Sequence, residues 1–389
     1  MSKFEVKVRR VNAIEPHSKA DRLEFVAIDG YRALVRKGQY KLGDLVVYLP
    51  EAAVTTPFIL QTVGLWDNER QEGKCAGNGG MRIKALRLRG SLSQGLVYPL
   101  QHCPGHTVPG WYLEDEHNSI HRVEEGQDVA DLLGVRKYKP EIPEDLDGLV
   151  FDAGIEIMPR FDVEDIKKFP DVLRDGELVR MTEKLHGTFS VFLLLPPEHA
   201  HPVHGDFVVS SKGLSEQGLA FQNCADNQGN AYIRAAATLQ VYSKMVLLRA
   251  SLAAAGHDVS VPVVLLGEVL GSASQQDLKY GEKLALAVFD IGLGWRSSLQ
   301  FFAPAEVEKL AAGLGLRTAP VVYEGPFSRE ALTHHTAGTE TFSGKGLHLR
   351  EGVVVRPLVE RRDAELGRVL LKSVSEDYLL RGGAATEYS

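Results

Sequence analysis

The sequence predicts a two-domain α+β protein: a small β-barrel or sandwich, then a larger domain of packed antiparallel sheets. Three observations carry this. A chain of 389 residues is too long for one ordinary core. Its first hundred residues alternate apolar and polar at period two between turn residues. From about residue 159 apolar strands are interrupted by single helices, without the regular alternation of a doubly wound sheet.

Taken in order, FEVKVRRVNAI, RLEFVAI, YRALVRK and LVVYLP read as short strands. Gly30, Gly38 and Gly43-Asp44 lie between them, where reversals need a positive φ or an Asx turn. GKCAGNGG (73–80) predicts a loop and MRIKALRLRG (81–90) a further strand. A connector follows from about 101, in which DVADLLGV (128–135) has the pattern of one short helix. Pro and Asp clusters in KYKPEIPEDLDG place the domain boundary at 136–158. The expected division is therefore 1–135, a linker at 136–158, and 159–389. Beyond it, strands are expected at 189–195, 207–211, 261–270, 283–293, 352–357 and 368–374, and helices at 231–255 and 303–315.

Hydrophobic content of 44% and charged content of 24% are those of a soluble globular protein. No apolar run approaches the ~20 residues that span a bilayer, and MSKFEVKVRR lacks the apolar stretch of a secretory signal. Cys75, Cys103 and Cys224 are odd in number and scattered, which points to a reducing cytoplasm. The net charge of -7 is uneven: residues 1–100 hold 16 Lys+Arg against 10 Asp+Glu, and the rest 28 against 41. A basic segment before an acidic one fits a first domain that handles a polyanion, and equally a merely solvated basic surface.

The chemistry gathers in the second domain. TEKLHGT (182–188) puts Lys184 at a strand end, with Gly187 where the backbone can pass close to a ligand. A lysine is nucleophilic only as the neutral amine, which needs nearby cations or desolvation. LLGEVLG ends an apolar strand around Glu268, and AVFDIG sets Phe289 beside Asp290 on opposite faces of one strand. REGVVVRP places Glu351 at a strand mouth and VLLKSVSEDYL places Lys372 within a strand. Each has a bland reading, a turn-capping acid or a snorkelling lysine; their joint order is much harder to dismiss.

The ordered series EKLHGT, SSKG, LLGEVLG, AVFDI, EGVVVRP and LLKSVS resembles the six motifs of covalent nucleotidyltransferases, the superfamily of polynucleotide ligases and capping enzymes. KLHG followed by Thr resembles its RNA ligase branch, and a β domain before the chemistry resembles the Deinococcus-type RNA ligases. The motif resemblance covers about 159–380. It implies an OB-like, RNA-docking barrel at 1–135 and an α+β nucleotidyltransferase domain, ATP-grasp-like with antiparallel sheets, at 159–389. It implies ATP with Mg2+ or Mn2+, and RNA, a nicked duplex or RNA-DNA hybrid, as substrate. Lys184 would take AMP from ATP in phosphoramidate linkage and pass it to an RNA 5′-phosphate, which a 3′-hydroxyl then attacks. Lys212 (in SSKG) and Lys372 would contact phosphates, Phe289 would stack on adenine and Glu268 would hold the ribose. Glu183 and Gly187 belong to the ATP-binding motif. Glu351 would hold a hydrated ion with Asp290 as helper.

Two positions depart from the broader pattern. His186 stands where many members carry Asp, which weakens a DNA-ligase reading; it is either a contact or proton handler of the later steps or a turn residue. Leu370 stands where others have a first lysine. Arg82, Lys84, Arg87 and Arg89 share a strand that could track a phosphate backbone, or be a solvated basic edge. The rival functions are a capping-type guanylyltransferase, a DNA ligase, or an RNA-binding protein with a decayed active site. Only 17 residues follow Lys372, which weighs against the first two. GTETFSGKG (338–346) has five residues, not four, after its first Gly and lacks the Ser/Thr of a phosphate loop, so it reads as a plain loop. His102-Cys103 with His106 also reads as loop, without a second Cys pair for zinc.

Overall fold

The computed structural model describes residues 4–77, 79–88, 91–103, 108–138, 149–271, 280–281 and 283–381. The chain forms two compact units, Ser2–Lys139 with Glu376–Ser389, and Pro140–Ser375.

The amino-terminal unit is built on β1 (Lys7–Arg10), β2 (Ala13–Pro16), β3 (Leu23–Ile28), β4 (Tyr31–Arg36), β5 (Leu45–Leu49) and β6 (Leu96–Pro99). β5 lies between β1 and β6, and β2, β3 and β4 form an antiparallel meander. LVVYL is apolar throughout because β5 is buried on both faces. Leu45, Val47 and Leu49 enter one cluster with Val6 and Val8, while Val46 and Tyr48 enter another with Val26 and Ile28. Each fully buried side chain of this kind contributes roughly 1.5–3 kcal/mol. The β3–β4 reversal takes two residues, Asp29 (φ 49) and Gly30 (φ 79), the left-handed pair that matches strand twist.

Two expectations in this unit are corrected. DVADLLGV makes a single turn, with Leu133 N donating to Val129 O at 3.1 Å, and Gly134 (φ 63) ends it. Of the described residues 81–88 of this segment, only Leu86–Leu88 is strand, paired with Ser91–Ser93. Arg82 precedes it, bridging to Ala76 and Val54, so the basic residues do not share one strand. A short helix, α1 (Pro57–Thr62), starts at a Thr56 cap and a Pro at its first turn.

The second unit holds two sheets. One orders the short strand Glu164–Asp165, then β14 (Leu371–Val374), β13 (Gly352–Pro357), β7 (Leu178–Lys184) and β12 (Val321–Pro326). The other orders β9 (Phe207–Ser211), β8 (Thr188–Leu194), β10 (Val263–Leu270), β11 (Ala285–Leu293) and Gln300–Phe301. Phe192, Leu194, Val263, Leu265 and Val288 of this second sheet pack on α2 (Ala231–Thr238), α3 (Val241–Ala254) and α4 (Pro304–Gly313). The fold is thus α+β with mainly antiparallel sheets, as the strand pattern predicts, although the short strands Glu164–Asp165 and Arg317–Thr318 pair in parallel with β14 and β11. The single helix expected at 231–255 is two, because Gln240 sits in the left-handed region (φ 53) between α2 and α3. Among the described residues no helix is long and apolar enough to cross a membrane.

Candidate active site

β7 alternates strictly. Val179 and Met181 face a core cluster of their sheet, which sends Lys184 to the opposite face. Lys184 is the last residue of β7; His186 and Gly187 turn the chain, and β8 begins at Thr188. Gly187 is required here for packing: a Cβ would lie 2.5 Å from Leu270 Cδ2 and from Val269 O. The glycine thus brings the turn against β10, and its N–H donates to Glu268 Oε1 at 3.0 Å. That close approach is to a strand, where the sequence suggested a ligand.

Register completes the arrangement. Lys184 pairs with Gly352, so Glu351 emerges at the mouth of β13 and its Oε1 accepts from Lys184 Nζ in a close ion pair. A Cβ on Gly352 would sit 2.0 Å from Ser373 O, so this strand can approach β14 only as glycine. Thr182 pairs with Val354 and Val354 with Lys372. Cross-strand partners share a face, so Lys372, itself buried, lies on the Lys184 face. His186 Nδ1 lies 3.7 Å from Glu351 Oε2, and the His186 N–H donates to Tyr280 Oη at 2.8 Å.

The second sheet supplies the facing wall. Lys212 follows β9 and its Nζ lies 3.2 Å from Asp162 Oδ1. Phe289 meets Phe161 and Phe189 at ring separations of 5.3 and 5.4 Å. The two carboxylates of the cleft behave differently. Burial pushes the Glu268 carboxyl up to about 8, against the pull of Lys184. Burial also pushes Glu351 upward, but Lys184 and His186 together outweigh it and hold this carboxyl below its ordinary range.

Asp290 requires a correction. Strand alternation puts it on the face opposite Phe289, but a bulge intervenes: Leu266 pairs with Asp290 and Gly267 with Val288, leaving Phe289 as the extra residue. Val288 and Ile291 pack in the helix-side core, so Phe289 and Asp290 both turn to the other face. There Arg356 Nη1 lies 3.0 Å from Asp290 Oδ1, and Arg368 grips both oxygens at 2.7 and 2.9 Å. With its carboxylate taken by two guanidinium groups, Asp290 does not fit a metal helper.

Glu183 faces away from Lys184 by the same alternation. Its Oε2 accepts from Thr341 N at 2.7 Å and Thr341 Oγ1 at 2.6 Å. Thr341 lies in the loop excluded as a phosphate loop, and nothing in the sequence linked that loop to Glu183. Tyr280, Phe161 and Asp162 were likewise missed, because each lies outside a motif. His102 and Cys103 stand on a short strand, not a loop, with the His102 ring 4.7 Å from Trp111; His106 lies outside the described residues. Arg82 stacks on Tyr138, its guanidinium 3.8 Å from the ring centre, and Lys84 is half-buried. Arg89 and the side chain of Arg87 lie outside the described residues. Among the described residues no three His, Cys, Asp or Glu side chains cluster as a metal cage. The buried Glu351 carboxylate is compatible with a hydrated ion, which keeps most of its waters and takes one or two carboxylates.

A family model for RNA ligases matches residues 177–374, from β7 to the end of β14 and just over half of the chain. The chain belongs to the RNA ligase family. An OB-fold domain model matches residues 5–100, so the RNA ligase segment is preceded by an OB fold. The chain is similar to solved structures of an RNA ligase from Naegleria gruberi. A variant with ATP and Mn is 22% identical, covers 98% of this chain and 99% of that one, and has a TM-score of 0.67. A variant with AMP and Mn gives 21%, 96%, 97% and 0.66, and the structure with PPi gives 22%, 98%, 99% and 0.63. At such identities the likeness is one of fold. No curated protein matches the chain.

Proposed function

We propose that this RNA ligase uses ATP to seal 3′-OH/5′-phosphate breaks through a Lys184–AMP and an adenylylated 5′-phosphate, acting on nicks in duplexes with an RNA 3′-OH strand. The observation that carries the reading is the Lys184–Glu351 pair in a cleft walled by Phe161, Phe189 and Phe289. Lys184 Nζ attacks the α-phosphorus of ATP, the α–β anhydride bond breaks and pyrophosphate leaves. An RNA 5′-phosphate oxygen then displaces the lysine, and the 3′-hydroxyl displaces AMP. Nucleophilic catalysis of this kind divides one difficult step into easier ones.

Lys372 and Lys212 supply positive charge to the phosphates in the transition state. Phe289 stacks on adenine and Glu268 receives the ribose hydroxyl. Glu351 would hold a hydrated Mg2+ or Mn2+, which when bound would supply positive charge to the α-phosphate. The Naegleria gruberi enzyme's solved forms with ATP and Mn support the choice of nucleotide and ion. His186, beside Glu351, serves the later steps. The OB fold with Arg82, Lys84, Arg87 and Arg89 docks RNA by its backbone, without reading sequence. An OB fold ahead of the catalytic segment supports the Deinococcus-type subclass, and three free cysteines suit a cytoplasmic enzyme.

The test is adenylylation. Protein incubated with magnesium and α-labelled ATP should carry label after denaturation, and Lys184→Ala should carry none. Absence of label on the wild type with either magnesium or manganese would sink the proposal in favour of a decayed RNA-binding protein. Label from GTP instead would turn it toward a capping-type enzyme.

A further inference from the structure

A cavity of about 280 Å³ opens beside the Phe207 end of β9, lined by Phe151, His204, Asp206, Phe207, Asn223 and Tyr242 among others. It is separate from the cleft: Lys212 follows the other end of β9, roughly 15 Å along the strand at ~3.3 Å per residue, and none of the cleft residues lines it. Its volume falls just below the usual range of ligand pockets, about 300 to 1,000 Å³, which limits it to a ligand the size of one nucleobase with its sugar.

The walls are aromatic. His204 stacks on Phe151 with ring centres 3.9 Å apart, and Tyr242 tilts against Phe207 at 5.4 Å. Burial, with His201 beside it, lowers the His204 pKa and keeps the ring neutral near pH 7, so it can stack without a charge. Into this frame come two polar side chains. Among the described residues the Asp206 carboxylate makes no hydrogen bond or ion pair, and the Asn223 amide nitrogen donates to nothing, its oxygen taking one contact from Gln228 at 3.5 Å. A cavity lined mainly by apolar and aromatic side chains with a few polar groups is the usual make-up of a small-ligand site.

We propose that this cavity binds a guanine base, held between the aromatic walls with its Watson–Crick edge on Asp206 and Asn223. A carboxylate accepts only, and guanine presents two adjacent N–H donors, at N1 and N2, which match both oxygens at once. The Asn223 amide can then donate to O6, an acceptor in guanine where adenine carries an amino group. Adenine offers the carboxylate one amino group and so forgoes the two-oxygen contact, although its ring N1 can still accept from the amide. The base can arrive as free guanosine or as an unpaired residue of an RNA strand, and the chemistry is the same.

Binding is measured on the full chain without ATP, so the readout is independent of ligation. Ligand-observed NMR and calorimetry are run with guanosine, inosine, adenosine and a short single-stranded RNA containing one guanine or one inosine. Guanosine should bind, inosine (which lacks the 2-amino group) should bind at least about fivefold more weakly, as loss of part of a bidentate contact implies, and adenosine more weakly still. Asp206→Asn should reduce the preference for guanosine over inosine. Guanosine bound with the RNA failing to compete assigns the free nucleoside; RNA bound with a guanine-over-inosine preference, and guanosine alone silent, assigns the strand. No binding by any of these, or equal binding of guanosine and inosine by the wild type, overturns the proposal. The inosine comparison uses the unaltered protein and holds even where Asp206→Asn fails to fold.

Discussion

Glu268 and Glu351 occupy one cleft, yet their proton affinities move apart, and the cause is local. Glu351 has the Lys184 ammonium against it and stays ionised. Among the described residues Glu268 has only the Gly187 N–H as direct partner, and it is desolvated by its walls, so its carboxyl rises to about 8. The folded chain therefore binds the Glu268 proton more tightly than the unfolded chain. This contribution to stability is complete below the ordinary carboxylate range and is lost as pH rises toward about 8. In nucleotide-free protein the urea midpoint should fall from this source between pH 5 and 8, and Glu268→Gln should flatten the decline. An identical slope in the variant would show that other groups carry it. Asp290 gives a second prediction: Asp290→Asn leaves Arg356 and Arg368 under-compensated, which should cost about 3–5 kcal/mol in denaturant unfolding. Little or no loss of stability would mean that Glu360, which also meets both guanidinium groups, suffices. Lys184, Glu268 and Glu351 were legible because motif order marks them; Asp290's partners were not, since nothing in AVFDIG encodes a distant arginine.

Among the elements, β-strands were easier to read than helices. GVVVRP and FVVSS form strands over their full length, because β-branched alternation speaks directly to a pleated, half-buried surface. The long helix was misread at Gln240, since no Gly or Pro marks the break between α2 and α3. Asn230 caps α2 through Tyr232 and Ile233 N–H groups, and Gln240 takes the left-handed conformation just past the Leu239 end of that helix. A β-branched side chain tolerates that conformation poorly, at about 1–2 kcal/mol. Gln240→Val should therefore lower the unfolding midpoint, while Gln240→Gly should leave it nearly unchanged. Equal effects of the two substitutions would show that side-chain contacts, not backbone conformation, matter there. The bulge in β11 is the same kind of lesson: an extra residue in a ladder turns Phe289 and Asp290 to one face, and period-two counting cannot see it.

Across the full chain, charge is the broadest signal. Net positive charge in the first hundred residues, against net negative charge afterwards, agrees with an OB fold ahead of the ligase segment. If that unit docks RNA, replacing Arg82 and Lys84 together by Ala should weaken binding about uniformly across RNA sequences. It should also reduce the slope of log affinity against log salt by up to about 2. Unchanged affinity and slope would make these residues a solvated edge. Because Arg82 also stacks on Tyr138, the unfolding midpoint of the double variant separates lost contact with RNA from lost packing.

The sequence by itself determined the α+β class, the turn from β7 into β8 that carries Lys184, and the family, because these follow from residues close in the chain. Alternation, turn glycines and motif order are local or one-dimensional properties, and they survive without coordinates. Only the tertiary structure decided which acids meet which bases. Glu351 reaches Lys184 because the β7–β13 register pairs Lys184 with Gly352, the next residue along. Glu183 meets Thr341, and Asp290 meets Arg356 and Arg368, through register and a bulge. Those pairings join residues 66 to 167 positions apart, and their partners are selected by sheet geometry, to which spacing along the chain is blind.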